Sequence, residues 1–228
     1  MAGKKIYSVA VDGPSGAGKS TLSKAIAQEL GIVYVDTGAI YRTIGLYVQR
    51  KGIAPKDPIA VAAILPEIQI DMKHGEDGLQ HMYLLGEDVT TQIRLPEISM
   101  YASDVSAIPA VRDFLMEMQR SIARKQSVIM DGRDIGTVVL PDADVKIFLY
   151  ADLDVRAKRR CKELEERGTP KPFEVVRKEM EERDYQDTHR EIAPLQPAVD
   201  SIMVDTSDMG FFYARNLLID MIEGSVGL

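Results

Sequence analysis

Residues 13–20 read Gly-Pro-Ser-Gly-Ala-Gly-Lys-Ser, a full fit to the pattern G-x-x-x-x-G-K-[ST]. The chemistry of that spacing is phosphate binding. Its glycines let the backbone turn tightly enough for successive N–H groups to point inward at phosphate oxygens. Lys19 then reaches the β- and γ-phosphates, and the Ser20 hydroxyl is placed to ligate Mg²⁺. With its flanks, the candidate nucleotide loop comprises Asp12, Gly13, Pro14, Ser15, Gly16, Ala17, Gly18, Lys19, Ser20 and Thr21. Lys19 is read as a surface side chain that contributes little packing. A protein with this loop binds a nucleoside triphosphate.

Further charged groups sit where apolar runs end. Val35-Asp36-Thr37-Gly38 is followed by Arg42, and Met130 is followed by Asp131-Gly132-Arg133-Asp134. Asp36 and Asp131 are candidates to orient Mg²⁺ or its waters; the plainer alternative is that they cap helices or turns. A third group, Arg156, Arg159 and Arg160, follows directly on another apolar run. Such arginines could supply positive charge to a transferring phosphoryl group. The rest of the interleaved charges between Arg156 and Arg190 reads as two solvated helices joined around Gly168-Thr169-Pro170.

The elements that must position these groups follow from periodicity. Residues 6–11, 32–35, 127–130, 145–150 and 201–204 are short, apolar or β-branched runs, as strands buried on both faces tend to be. Between them, Leu22, Ala25, Ile26 and Leu30 recur at helical spacing and stop at Gly31. Ile40, Ile44, Tyr47 and Val48 mark a second helix ending near Gly52, and Val111, Phe114, Leu115, Met118 and Ile122 a third. Asp57-Pro58 opens a short helix to Leu65 with an N-cap and proline at N1. Alternating strands and helices predict a doubly wound α/β fold, with ligands at the carboxyl ends of the strands. Residues 67–93 break the rhythm: Ile68 and Ile70, then Leu79, His81, Tyr83 and Leu85, alternate with their neighbours around glycine-containing turns. That predicts a small inserted antiparallel sheet.

Composition narrows the function classes. A net charge of −7 argues against a sequence-independent nucleic-acid binder. The single Cys161 excludes a disulfide framework and a multi-cysteine zinc site, and His74, His81 and His189 lack metal-ligand spacing. There is no D-x-x-G, and the only asparagine is Asn216, so a guanine-specific switch is disfavoured. No apolar run is long enough to span a membrane, and the opening Met-Ala-Gly-Lys-Lys lacks the apolar segment of a secretion signal. A cytoplasmic protein is expected.

The segments V-D-G-P-S-G-A-G-K-S, D-T-G-A-I-Y-R, D-G-R-D-I-G-T-V-V-L-P-D-A and E-R-D-Y-Q-D-T-H-R-E-I-A-P-L, in that order, resemble the bacterial cytidylate kinases. The resemblance spans nearly the whole chain. It implies a P-loop kinase core with a five-stranded parallel sheet flanked by helices, plus an inserted antiparallel sheet and a helical lid. The core would comprise residues 1–65, 107–155 and 191–228, the monophosphate-binding insert about 66–106 and the lid about 156–190. The implied reaction is ATP-dependent, Mg²⁺-assisted phosphorylation of CMP and dCMP. Arg42, Arg133 and Arg190 would hold the acceptor phosphate, and Ser103, Arg112 and Asp134 the cytosine edge. Arg183 and Asp187 would contact the ribose, and Thr37 the base or ribose. Arg156, Arg159 and Arg160 would serve from the lid, with Arg159 foremost. Ser20, Asp36 and Asp131 would serve the metal. The expected partners are ATP and CMP or dCMP, with no nucleic acid or membrane, and the expected state is a monomer. A kinase for another small acceptor, such as a different nucleoside monophosphate or shikimate, and a non-catalytic ATP-binding module are the alternatives.

Overall fold

The computed structural model describes residues 6–75 and 80–227. The elements are β1 (Ser8–Asp12), α1 (Lys19–Leu30), β2 (Val33–Asp36), α2 (Thr37–Arg50), α3 (Pro58–Ile64), β3 (Ile70–His74), β4 (Gln80–Leu84), β5 (Glu87–Asp88), α4 (Pro96–Ser106), α5 (Pro109–Lys125), β6 (Val128–Asp131), β7 (Val145–Tyr150), α6 (Leu153–Glu166), α7 (Phe173–His189), β8 (Ile202–Asp205) and α8 (Phe211–Val226). The expected parallel sheet is present, in the order β2-β6-β1-β7-β8, and a separate sheet has the order β3-β4-β5. The chain divides into two compact units, residues 1–33 with 126–228, and residues 34–125.

In the first unit, β1 lies between β6 and β7, pairing Val11 with Asp131 and Asp12 with Phe148. Its Val9, Ala10 and Val11 are fully enclosed, as are Val128, Ile129 and Met130 of β6. That continuous burial is why these strands are legible as unbroken apolar runs. The register puts Asp12 and Asp131 at the same end of the sheet, where the nucleotide loop begins. Helix α1 ends at Gly31 in the left-handed region, as its sequence predicts. A single π-type turn, Ile135–Val139, follows β6.

The second unit carries α2 against α4, and the small sheet. Asp57 caps α3 by accepting from Ile59 and Ala60, so the Asp-Pro reading holds. The inserted hairpin forms, with Ile68 and Ile70 buried as the sequence suggests, but β4 buries the opposite face from the expected one. Gln80, Met82 and Leu84 point inward, while His81 and Tyr83 are half-buried. Leu85 is exposed and takes φ 52° in the two-residue turn to β5. Leu79 and part of the preceding turn lie outside the described residues. Polar residues also sit on the buried face of α5, where Val111, Arg112, Leu115 and Gln119 are enclosed and Phe114 is exposed. No helix among the described residues is long and apolar enough to cross a membrane.

Candidate active site

The loop between β1 and α1 is shaped by close packing. Gly13 has φ 144°, and a Cβ there would collide with the Leu149 carbonyl oxygen of β7. Only glycine fits. Gly18, also left-handed, is the N-cap of α1 with no side-chain cap, which leaves the first N–H groups of the helix directed into the loop. Lys19 is buried, contrary to the surface position its loop suggests, and its Nζ donates to the Pro14 carbonyl at 2.7 Å. Burial pushes its ammonium down to about 7, assisted by the Arg133 guanidinium and resisted by Asp131, Asp12 and Asp187. The lysine is enclosed because α6 and α7 cover the loop: a Cβ on Gly16 would press on Arg156 and on the Met180 methyl.

Ser20, the second residue of α1, donates from Oγ to Asp131 Oδ2 at 2.7 Å. A hydroxyl and a carboxylate brought together at the loop form the oxygen pair expected of a P-loop Mg²⁺ site. No group of three His, Cys, Asp or Glu side chains among the described residues could cage a metal. Asp12 is spent differently. Its carboxylate accepts from the Ile135 and Gly136 amides at 2.8 and 2.7 Å. Burial nevertheless pushes its carboxyl up to about 6, with the two amide bonds pulling the other way. The result is a clamp from the end of β1 onto the segment that carries Arg133 and Asp134.

Those two residues meet the C-terminal part of α7 and the turn after it. Arg133 Nε donates to Asp187 Oδ2 at 2.7 Å, and Arg190 Nη2 pairs with Asp134 Oδ1 at 3.2 Å. Burial works against the charge of Arg133, but Asp187, Asp131 and Asp184 outweigh it and the guanidinium is held above its usual value. Burial likewise opposes the Asp187 carboxylate, and Arg133, Arg183 and Arg190 outweigh it, holding that carboxyl below its usual value. Four of the expected substrate residues are therefore joined in two ion pairs, with Arg183 acting electrostatically on one of them.

The three expected lid arginines separate. Arg156 is buried and donates to the Ala151 and Ser15 carbonyls, while its Nη2 pairs with Asp184 at 2.7 Å. Arg159 donates to Thr206 O at 2.5 Å and Oγ1 at 3.2 Å, and reaches the Gly16 carbonyl at 3.5 Å. Arg160 points away, into a surface pair with Glu163. Sequence reasoning missed Asp184 and Thr206. Asp184 lies three residues before Asp187 on one helix face; Thr206, which donates to the loop carbonyl of Ala17, is the first polar residue past β8.

In the second unit, Asp36 caps α2 by accepting from the Ala39 amide and pairs through Oδ2 with Arg42 Nη2 at 2.9 Å. Gly38 leaves room for that pair, since a Cβ would stand 3.0 Å from Arg42 Nη1 and 3.1 Å from Asp36 Oδ1. Thr37 is buried as the first residue of α2. Arg112 is buried, lies over the Tyr41 ring and donates to the Ser106 carbonyl; Ser106 Oγ donates to the Ser103 carbonyl. Ser103 and Arg112 are thus linked by one hydrogen-bonded path.

A parallel α/β sheet whose first strand feeds a phosphate loop, with a buried lysine and paired arginines and aspartates at the strand ends, defines a P-loop phosphotransferase. The cytidylate kinase family model matches residues 9–223, and the chain belongs to that family. A cytidylate kinase from Caldicellulosiruptor bescii is 50% identical over 206 residues, covering 90% of each sequence. One from Caldicellulosiruptor saccharolyticus is 48% identical over 224 residues, covering 98% of each. Among solved structures, an uncharacterized protein from Eubacterium ventriosum shares the fold with a TM-score of 0.52 at 12% identity, covering 95% of this chain and 98% of that one.

Proposed function

We propose that this protein transfers the γ-phosphoryl group of ATP to CMP or dCMP, giving ADP and CDP or dCDP. The observation that carries the reading is the buried arginine–aspartate cluster, Arg133–Asp187 and Arg190–Asp134, built directly after the strand whose Asp131 meets the loop serine. A P-loop alone would bind ATP. The cluster adds guanidinium forks suited to a second, dianionic phosphate.

Arg42, Arg133 and Arg190 hold the acceptor phosphate, Asp187 and Arg183 the ribose, and Ser103, Arg112 and Asp134 the cytosine edge, with Thr37 beside the nucleoside. Residues about 66–106 act as the monophosphate-binding insert and 156–190 as a lid that excludes water. Ser20 and Asp131 are the residues that would hold Mg²⁺, while Asp36 serves the acceptor side through Arg42. When bound, Mg²⁺ would supply positive charge that offsets the negative charge of the transferring phosphoryl group. Transfer is in line, without a covalent enzyme intermediate, and rests on positioning and charge neutralisation. No side chain is needed as a general base, because the acceptor phosphate arrives ionised. The protein acts as a cytoplasmic monomer on small molecules, with no nucleic acid or membrane as partner.

Arg159 is the group we assign to the transition state from its place in the family motif; its guanidinium lies against the Gly16 carbonyl of the phosphate loop and Thr206, whereas Arg156 is tied into a buried ion pair with Asp184 and Arg160 into a surface pair with Glu163. Arg159→Ala should lower kcat and kcat/KM together, by about tenfold or more, with CMP binding unchanged. A rise in KM alone would return Arg159 to a structural role.

Base choice tests the reaction and its site together. Cytosine offers an amine donor and a bare N3 where uracil offers a carbonyl and an N–H. Asp134 can accept from the amine and Arg112 can donate to N3, so uracil leaves both mispaired at about 1–3 kcal/mol each. In an assay coupled to ADP release, CMP and dCMP should be good acceptors, UMP poor, and AMP and GMP inert. The CMP:UMP ratio of kcat/KM should fall about tenfold in Asp134→Ala and in Arg112→Met. An unchanged ratio in active variants would place base reading elsewhere; ADP release indifferent to CMP would remove the reaction itself.

A further inference from the structure

The outer edge of β2 is met by two side chains of the inserted hairpin. In a strand, the backbone groups of alternate residues face the same edge. The Val33 amide donates to the Ser127 carbonyl, so Val33 faces the sheet, and Tyr34 and Asp36 face away from it. His74 and Gln80 are directly opposed across β3 and β4. His74 Nε2 donates to the Tyr34 carbonyl at 2.8 Å. Gln80 Oε1 accepts from the Asp36 amide at 2.7 Å, and its Nε2 donates to the Asp36 carbonyl at 3.2 Å and toward Met82 Sδ. Gln80 is only 4% exposed. Its amide thus supplies both bonds that a neighbouring strand would give Asp36, in an orientation that a flip would turn into N–H against N–H.

We propose that Gln80, seconded by His74, is a positioning residue for the acceptor phosphate: it fixes the backbone of Asp36, whose carboxylate aims Arg42. The inference rests on the reading of Arg42 as an acceptor-phosphate ligand. The chain of contacts is short. Gln80 holds Asp36 N and O, Asp36 Oδ1 holds the Ala39 amide at the start of α2, and Asp36 Oδ2 holds Arg42 one turn later. It also accounts for a polar residue on the buried face of β4, where an apolar side chain would strand two backbone groups without partners. The insert therefore contributes more than a wall. Two of its side chains close the edge of β2, His74 at Tyr34 and Gln80 at Asp36, and Gln80 through Asp36 sets the direction of a guanidinium.

The test is a double-mutant cycle on the full chain, read as KM for CMP and for ATP. Gln80→Met keeps the length and burial of the side chain but loses both backbone bonds. It should raise the KM for CMP by about five- to thirtyfold and leave that for ATP unchanged. Gln80→Glu keeps the acceptor for the Asp36 amide and should fall between Met and wild type; it also serves if Gln80→Met does not fold. His74→Ala should act in the same direction, more weakly. In an Arg42→Ala background either Gln80 substitution should add little, because its route to the phosphate is gone. An equal rise in both backgrounds, equal effects on ATP and CMP, or no effect on CMP would each overturn the proposal. If Arg42→Ala itself leaves the KM for CMP unchanged, the assignment of Arg42 is what fails.

Discussion

Lys19→Met is expected to lower kcat/KM by about 10²–10³-fold or more while making the unliganded protein more heat-stable at neutral pH. The two effects have one cause. The ammonium is buried, with its pKa depressed to about 7 by desolvation and by Arg133, so in the folded chain it is a charge held out of water. Its folded pKa lies below its unfolded value near 10.5. Between those values the unfolded chain binds more protons, so stability rises with pH through that window, and the full cost of the buried charge is present below about 7. An apolar methionine removes that cost and with it the group that meets the triphosphate. A gain of a few °C in melting temperature at pH 7, shrinking toward pH 10, is expected, at about 2–4 °C per kcal/mol. Nucleotide phosphates should restore the ammonium, so ATP binding at pH 8 should take up protons in buffer-dependent calorimetry. A destabilised Lys19→Met, or binding with no proton uptake, would contradict this account of the lysine.

The second large effect belongs to Arg133. Arg133→Ala should raise the KM for CMP by about 10–150-fold, the loss of one charge-assisted contact, with the KM for ATP changed far less. The same substitution leaves the buried Asp187 without its 2.7 Å partner, and breaking a buried pair costs about 3–5 kcal/mol. Stability should therefore drop along with affinity. Arg133→Met combined with Asp187→Asn separates the two losses, because no carboxylate is then stranded. The double variant should melt near the wild type, by thermal unfolding followed in circular dichroism, and still bind CMP poorly. Wild-type CMP binding in that variant, or equal weakening of ATP and CMP in Arg133→Ala, would show that the cluster is structural.

The parts of the fold that were legible in the sequence are those whose burial is two-sided or whose ends carry local signals. The central strands announce themselves because Val9–Val11 and Val128–Met130 have no exposed face. Gly31 and Asp57 mark helix ends through local backbone geometry. The phase of β4 was hidden because a buried amide, Gln80, occupies an inward position and Leu85 is drawn into a turn. On α5, Arg112 and Gln119 hide the buried face in the same way. The burial of Lys19 depends on α6 and α7, more than 130 residues away in sequence, and no local pattern encodes it. The same holds for the division of labour among Arg156, Arg159 and Arg160, which only their packing reveals. Sequence identified the residue types that meet at the strand ends. Partners such as Asp184 and Thr206 came from the structure.

The most direct measurement follows the transferred group. With ATP labelled in its γ-phosphoryl group, CMP and Mg²⁺, the account predicts that the label leaves ATP only when CMP is present and is recovered in the β-phosphate of CDP, with none on the protein. Label released chiefly as inorganic phosphate, retained covalently by the protein, or transferred equally well to AMP would contradict it.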